Sequence, residues 1–259
     1  MRSALIGHTG FVGSNLLAQR RFDARYNSAS IATIRGERFA RVVCAGVTAV
    51  KWWANQNPEE DRRRIDGLMA HLAHLEAATF VLISTTDVYA NPIGVTEDDP
   101  PDLANLHPYG RHRALLERFV AERFPRRAIV RLPALFGAGL KKNILFDLMH
   151  DNRIEAVNPA SSFQWYPLAR LSDDLDRAEA EGVELLNMAT EPVAVEEIRA
   201  RFFPAKTIGG SAGAPAFYDM RSRHAERFGG AGGYLLDKYA VLAAMGAFLR
   251  AEGVPGACA

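Results

Sequence analysis

Residues 3–15 read SALIGHTGFVGSN, and this stretch decides which fold the rest of the chain can adopt. The apolar run before Gly7 predicts a short buried strand, and the segment from Ser14 onward predicts a helix. Gly7, Gly10 and Gly13 lie between them in the spacing G-x-x-G-x-x-G. Glycine lets a ligand approach the backbone, and the N–H groups that begin a helix attract anions. An ordinary strand–helix turn also uses glycine, but the position within a βαβ pattern favours a phosphate cradle.

Strands and helices alternate from this turn to about residue 137. Short apolar runs predict buried strands at 41–46, 79–84 and 127–137. Apolar residues at helical spacing predict helices at 61–78 and 109–124. Such alternation predicts the α/β class, with a Rossmann-type doubly wound parallel sheet covered by helices on both faces.

The pattern loosens after residue 137. We therefore predict a dinucleotide-binding Rossmann domain over residues 1–137. Residues 138–259 are predicted to form a small substrate-binding lobe, interleaved with the last strands of the sheet. A chain of 259 residues suits this size of α/β protein.

Composition excludes several classes of function. The 31 Lys and Arg residues balance 30 Asp and Glu residues, so no global field recruits nucleic acid or a membrane surface. Cys44 and Cys258 are far apart and form no CxxC pair, which predicts a reducing, cytoplasmic location. The longest apolar stretch, 240–249, is too short to span a bilayer. His71 and His74 have no third ligand nearby, so no metal site is predicted.

The stretch RYNSAS at 25–30 bears on the choice of cofactor. A Rossmann-type site usually carries an acid here, about 20 residues after the glycines, to hold the adenosine ribose hydroxyls. This chain has Asn27 and Ser28 instead, and neutral side chains do not repel a 2′-phosphate. Three arginines could neutralise such a phosphate: Arg25, Arg35 and Arg38. The sequence leaves NADP and NAD open and slightly favours NADP.

Two further stretches, ISTTDVY at 83–89 and PYGRHR at 108–113, carry groups suited to proton transfer. Thr85 follows a buried strand at the edge where α/β sheets bind ligands. Tyr109 and Arg113 stand at i and i+4, so both point to the same side of a helix. A phenol has an ordinary pKa of about 10, and a nearby cation lowers it. The phenol then exchanges a proton with a carbonyl or alcohol while a hydride moves.

Taken together, these motifs resemble the extended short-chain dehydrogenases/reductases of the NAD-dependent epimerase/dehydratase kind, which act on nucleotide sugars. The resemblance rests on GHTGFVG, ISTTDVY, PYGRHR and VRLPALFGAG, which occur in the family's order over residues 3–140. The segment after residue 40 is similar to that of dTDP-4-dehydrorhamnose reductases, which are short members of the family.

The resemblance implies a set of site residues. Thr85, Tyr109 and Arg113 take the catalytic positions of the family's motif. The implied cofactor contacts are Gly7, Gly10, Phe11, Val12, Gly13, Asn27, Ser28, Cys44, Ala45, Gly46, Ser84, Tyr109, Arg113, Leu132 and Pro133. The substrate contacts, expected partly from the resemblance and partly from residue type, are Lys51, Thr86, Asn143, Trp165 and Arg221.

The chain departs from the family's pattern at two places. Arg113 stands where the family has lysine, and arginine keeps the charge but is planar and bulkier. Another cation, such as Lys51, could replace the lysine in space. Thr86 and Asp87 stand where dehydratases carry an Asp-Glu pair, which argues against a dehydratase.

Three functions remain open from the sequence. The leading one is an NAD(P)-dependent reductase of a 4-keto nucleotide sugar. The alternatives are a nucleotide-sugar epimerase that retains its cofactor, and an NAD(P)-binding protein whose catalysis is weakened by Arg113. The resemblance also suggests a homodimer through helices 61–78 and 109–124.

Overall fold

The computed structural model describes residues 2–254 and divides them into two compact units. Unit 1 comprises residues up to Asn91, together with Glu97–Leu132 and Arg170–Asn187. Unit 2 comprises Pro92–Thr96, Pro133–Ala169 and the residues from Met188 onward. The chain passes between the units several times, so their limits differ from a single cut at residue 137. Cys258 lies outside the described residues.

The secondary structure alternates as the sequence pattern indicates. The strands are β1 Ser3–Ile6, β2 Ala24–Tyr26, β3 Arg38–Cys44, β4 Glu76–Thr85, β5 Arg127–Leu132, β6 Ala134–Phe136, β7 Ser162–Phe163, β8 Trp165–Pro167, β9 Leu185–Asn187 and β10 Val193–Ala194. The helices are α1 Phe11–Gln19, α2 Lys51–Gln56, α3 Pro58–Leu72, α4 Pro108–Arg123, α5 Ile144–His150, α6 Leu171–Ala180, α7 Val195–Phe202 and α8 Lys238–Ala251.

The described residues of unit 1 form a six-stranded sheet in the order β2-β1-β3-β4-β5-β9. Its neighbouring strands pair in parallel, and Ile6 of β1 lies opposite both Tyr26 and Cys44. The strand order reverses at β1, which makes the carboxyl end of that strand a topological switch point. The predicted Rossmann-type doubly wound sheet is confirmed.

Helices cover both faces of this sheet. On one face, apolar residues of β3 and β4 pack against α3 and α4, and the Phe80 ring stacks on Phe124 with 4.1 Å between centroids. The alternate strand residues Leu5, Val43 and Val81 are also fully buried. Because successive strand residues point to opposite faces, these three belong to the second core layer.

Two predicted elements end at other residues than the sequence indicates. The helix predicted over 61–78 ends at Leu72, because Glu76 already pairs with Arg38 at the start of β4. The pairing with β3 overrides the helical spacing of the apolar residues. The strand predicted over 127–137 is interrupted at Pro133, which lacks the N–H that a central strand donates. After Pro133 the chain enters unit 2, where β6 pairs with β8.

Unit 2 has its own apolar core. Side chains of β6, β8 and the helices α5, α7 and α8 pack together, including Trp165, Phe202 and Met245. Short strand pairs, β6 with β8 and β7 with β10, connect these helices. Among residues 2–254, the helices all lack the length and apolar character that crossing a membrane requires.

Replacing Phe80 by alanine tests the core between the sheet and helices α3 and α4. The ring is fully buried, so we expect the free energy of unfolding to fall by about 3–5 kcal/mol. Denaturant unfolding followed by circular dichroism measures this change. Trp52→Ala is the control, because Trp52 is 64% exposed and should change the stability by less than about 0.5 kcal/mol. Equal losses in the two variants would contradict the assigned core.

Candidate active site

The glycine turn between β1 and α1 is closely packed at two of its three glycines. Gly7 has a φ of 85°, and a Cβ there would lie 2.3 Å from the Ala45 carbonyl oxygen. A Cβ on Gly13 would lie 2.1 Å from the Gly7 carbonyl oxygen. Gly10 differs, because its Cβ would approach the Gly7 oxygen only to 3.4 Å. Gly7 and Gly13 therefore allow the close packing of the turn, whereas the side of the turn at Gly10 is exposed.

The start of α1 can accept an anion. Gly10 is its N-cap, and no side chain of the described residues caps it. The first turn, which includes Phe11 and Val12, carries no acidic residue. Backbone N–H groups at an uncapped helix start carry partial positive charge, so this turn fits the pyrophosphate of a dinucleotide. Ala45 and Gly46 at the end of β3 pack against the same turn.

The adenosine side of the turn contains neutral residues. The Asn27 side-chain oxygen accepts hydrogen bonds from the backbone N–H groups of Ala29 and Ser30, at 3.0 and 3.2 Å, and shapes the loop that contains Ser28. Cys44 is fully buried, and burial raises the pKa of its thiol to about 11, so only its backbone is available to a cofactor.

Two of the three suggested arginines lie at the amino-terminal ends of the strands, on the side of the sheet opposite the glycine turn. Arg38 begins β3 and pairs with Glu76 at 3.0 Å, while Arg35 just before it contacts His71. In a parallel sheet the start of one strand lies far from the carboxyl ends that bind ligands. The expectation that these two neutralise a 2′-phosphate is wrong, which leaves Arg25 of β2.

Thr85 and Tyr109 meet at the carboxyl end of β4. The Thr85 hydroxyl lies close enough to the Tyr109 phenol to lower its pKa, and it accepts a hydrogen bond from the Asp87 N–H at 3.2 Å. Tyr109 lies in the first turn of α4, which begins at Pro108. This turn packs closely on the segment after β4, because a Cβ on Gly110 would lie 2.0 Å from the Asp87 carbonyl oxygen. The predicted threonine–tyrosine pair is therefore assembled by the fold.

Arg113 forms its hydrogen bonds with a carboxylate and with backbone carbonyls. Its guanidinium forms a two-point ion pair with Asp61 of α3, with N–O distances of 2.6 and 3.0 Å. Further hydrogen bonds reach the carbonyl oxygens of Tyr109 and Thr48, at 3.1 and 2.5 Å. The guanidinium carbon stands 3.9 Å from the centroid of the Tyr109 ring. Arg113 therefore supports the face of the ring, in a cation–π arrangement.

Burial raises the pKa of the Tyr109 phenol above its ordinary value. The charges of Arg113 and Lys51 and the nearby Thr85 hydroxyl oppose this rise, and Asp87 adds to it. Arg113 lowers the pKa of this phenol, as the sequence predicts, but burial outweighs that effect in this structure. A phenol with a raised pKa stays protonated at neutral pH and can serve as a proton donor.

Lys51 and Asp87 form an ion pair next to this tyrosine. The Lys51 Nζ lies 2.6 Å from the Asp87 carboxylate. Lys51 begins α2, and Asn55 in the same helix accepts the Tyr109 backbone N–H at 3.0 Å. The imidazole of His107, which caps α4, is half-buried, and burial with the Lys51 charge lowers its pKa.

Sequence reasoning missed Asp61, Asn55 and the pairing of Asp87. A signal for Asp61 exists, because it stands one helical turn before Ile65 on the buried stripe of α3. A charged residue on an apolar stripe needs a buried partner. The partner, Arg113, lies 52 residues further along the chain, and no sequence pattern links it to Asp61.

Other predicted residues of unit 1 lie near Thr85. Leu132, at the end of β5, lies opposite Thr85 in the sheet register, and Thr86 is buried. The Ser84 hydroxyl donates to Glu117, which binds Arg131 in a buried ion pair. Ser84 is thus held by a structural network directly behind Thr85. Pro133 begins the next segment of unit 2.

The predicted substrate residues of unit 2 have local partners. The Asn143 side chain caps α5 by accepting the Phe146 N–H at 3.1 Å. Arg221 forms a two-point pair with Asp219, at 3.0 Å for each contact. Trp165 is 1% exposed and belongs to the core of unit 2. A ring without exposed surface does not stack on a nucleotide base, so the expected substrate contact of Trp165 is wrong.

A glycine turn at the switch point, followed by a threonine–tyrosine pair at the edge of the same sheet, defines a Rossmann-type fold with a candidate redox site. The solved structures that share this fold include a dTDP-4-dehydrorhamnose reductase from Clostridium acetobutylicum. The two are 14% identical with a TM-score of 0.74, over 98% of this chain and 100% of that one.

Two further structures extend the comparison. RMD from Pseudomonas aeruginosa, complexed with NADPH, is 18% identical with a TM-score of 0.68, over 90% of this chain and 94% of that one. MoeE5, in complex with UDP-glucuronic acid and NAD, is 20% identical with a TM-score of 0.65, over 86% and 88%. No protein-family model matches the chain, and no curated protein matches it in sequence. The fold is that of nucleotide-sugar reductases and epimerase/dehydratase-type enzymes.

Gly10→Ala tests the phosphate cradle. The added methyl has room in the protein but occupies the exposed side that a pyrophosphate would approach. We expect the free energy of unfolding to change by less than about 1 kcal/mol and the affinity for NADPH or NADH to fall about tenfold or more. Fluorescence titration measures the affinity. In the control, Gly67→Ala on an exposed turn of α3, binding should stay unchanged. Native affinity in Gly10→Ala would exclude the cradle.

Asp61→Asn tests the buried pair with Arg113. Removing the carboxylate leaves a buried guanidinium uncompensated, so we expect a loss of about 3–5 kcal/mol in the free energy of unfolding. Burial opposes ionisation of Asp61, but Arg113 and His112 outweigh it and hold its pKa below the ordinary 3.8. The pair's contribution is therefore present above that pH and lost as the pH falls through the lower folded value.

Denaturant unfolding at neutral and acid pH measures both effects. Asp66→Asn is the matched control, because Asp66 lies in the same helix and forms an exposed pair with Arg62. We expect that variant to stay within about 0.5 kcal/mol of the native protein. A native-like stability of Asp61→Asn would contradict the assigned pair.

Proposed function

We propose that this protein is an NAD(P)-dependent reductase of the extended short-chain dehydrogenase/reductase type, acting on a 4-keto nucleotide sugar. The proximity of Thr85 and Tyr109 at the carboxyl end of β4 carries the proposal, because the glycine turn after β1 lies at the same end of the parallel sheet. The reductases and the nucleotide-sugar complex that share the fold support this class of substrate.

A nicotinamide cofactor fits the residues of unit 1. The uncapped start of α1 and Gly10 would hold its pyrophosphate, and the Asn27–Ser28 loop would face its adenosine ribose. The bound cofactor supplies a hydride to the carbonyl carbon of the sugar. NADP is our preferred form, because this loop has no carboxylate to repel a 2′-phosphate and Arg25 lies in the adjoining strand.

The side chains of this site then perform the proton transfer. Tyr109 donates its phenolic proton to the carbonyl oxygen as that oxygen gains negative charge, which yields the alcohol. Thr85 donates a hydrogen bond that orients the same oxygen. Arg113 keeps the tyrosine ring in place from its face, and the raised pKa of Tyr109 keeps the phenol in the donor form.

The test is a panel of 4-keto nucleotide sugars offered with NADPH or NADH. We expect substrate-dependent loss of the reduced cofactor and formation of the 4-hydroxy sugar. An epimerase would convert nucleotide sugars without consuming added cofactor. Absence of binding to both cofactors would overturn the reductase and the epimerase together.

Tyr109→Phe should lower kcat by about 10²–10⁴-fold, because the general acid is removed. The affinity for the cofactor should stay within about twofold, since the ring and its contact with Arg113 remain. Steady-state kinetics and a fluorescence titration measure the two quantities. Tyr239→Phe provides the control, because Tyr239 is exposed in α8. Equal kcat values for Tyr109→Phe and the native protein would remove Tyr109 from the chemistry.

One observation favours a second candidate, a cofactor-binding protein without turnover. Arg113, in the position of the family's lysine, is bound to Asp61, Thr48 and the backbone of its own helix. Arg113→Lys separates the two functions. Gain of reductase activity in that variant, over a native protein that binds cofactor without turnover, would favour the second candidate. Loss of activity would show that arginine is adapted to the reductase.

A further inference from the structure

Arg113 contributes a fixed charge to the site. Both terminal nitrogens of its guanidinium donate to Asp61, one also donates to the Tyr109 carbonyl and the other to the Thr48 carbonyl. The side chain is 4% exposed, and its partner Asp61 is 2% exposed. A two-point pair in such a buried setting is held rigidly, because either partner alone would be costly to bury.

Lys51 is a more exposed cation whose charge also acts on Tyr109. Its side chain is 41% exposed, and it ends in a compact ammonium on a flexible stem. Its helix is joined to Tyr109 by the Asn55 side chain. Asp87, which binds Lys51, belongs to the short turn on which Gly110 packs. These two contacts place the elements that carry the ion pair against the first turn of α4, where Tyr109 lies.

We propose that Lys51, held by Asp87, is the positioning residue whose charge stabilises the Tyr109 phenolate, in place of the lysine that the family has at position 113. The proposal rests on the proposed function for its role in turnover. When the phenol has given its proton to the carbonyl oxygen, the ammonium shifts from the Asp87 carboxylate towards the phenolate oxygen. Solvent then returns a proton to Tyr109, and Lys51 pairs with Asp87 again.

Several groups face Tyr109 and set the background for this exchange. Thr85 comes from β4 and Asp87 from the turn that follows it, while His107 and Arg113 come from α4 itself. Asp61 of α3 acts through Arg113. The Arg113 charge also favours the phenolate, and it stays constant because arginine is not deprotonated. Lys51 lowers the pKa of Tyr109 and Asp87 raises it, so removing each charge should shift that pKa in opposite directions.

The experiment titrates Tyr109 in the full chain without any sugar. Fluorine NMR of protein labelled with 3-fluorotyrosine reports each phenol, and Tyr109→Phe assigns the signal. We expect Lys51→Met to raise the pKa of Tyr109 and Asp87→Asn to lower it. The double variant should lie between the two. Lys238→Met is the matched control, because Lys238 also pairs with a carboxylate, Glu197, and is 31% exposed.

Two outcomes would overturn the proposal. One is a Tyr109 titration that Lys51→Met leaves unchanged, and the other is a shift of the same sign in Lys51→Met and Asp87→Asn. The Tyr109 titration does not depend on the reductase assay. A native protein without reductase activity would contradict the proposed function, and the titration would still test the role of Lys51. Where the native protein reduces a sugar, Lys51→Met should lower kcat about tenfold, with the cofactor affinity retained.

Discussion

The ion pair between Asp61 and Arg113 is the constraint on which the candidate site depends. It joins α3 to α4 and places a guanidinium under the ring of Tyr109. Burying both charges is costly, and the two-point geometry with added hydrogen bonds to backbone carbonyls offsets that cost. We infer that the pair is kept for the position of the tyrosine more than for stability, since a packed apolar pair would stabilise the same helices at least as well.

The sheet supplies the second half of the arrangement. The carboxyl ends of parallel strands lie on one side of the sheet, so the glycine turn after β1 and Thr85 at the end of β4 lie on the same side. Gly7 and Gly13 let α1 approach that side, and Gly110 does the same for α4. Backbone contacts at these three glycines therefore bring the starts of both helices to the same end of the sheet within one unit.

The two cations near Tyr109, Arg113 and Lys51, differ in burial. Arg113 is buried and paired with Asp61, whereas Lys51 is partly exposed and bound to the Asp87 carboxylate, among other contacts. Burial raises the pKa of the Tyr109 phenol, and the charge of Lys51 opposes that rise.

Much of unit 1 was predictable from the sequence, because its strands are continuous apolar runs and its glycines lie at a strand–helix junction. Thr85 and Tyr109 were candidates because Thr85 follows a buried strand and because ISTTDVY and PYGRHR resemble the family's motifs. The end of α3 at Leu72 was not predictable, because strand pairing at Glu76 overrides a helical pattern. The direction of Arg113 was missed because its partner comes from a distant helix. Trp165 was misassigned because aromatic composition alone does not separate a core residue from a ligand contact.

A crystal structure of the complex with NADPH tests the central claim most directly. The account predicts density for the pyrophosphate at the Gly10 turn and for the nicotinamide next to the Tyr109 hydroxyl, with Arg113 still bound to Asp61. A dinucleotide bound elsewhere, or a nicotinamide out of reach of Tyr109, would contradict it.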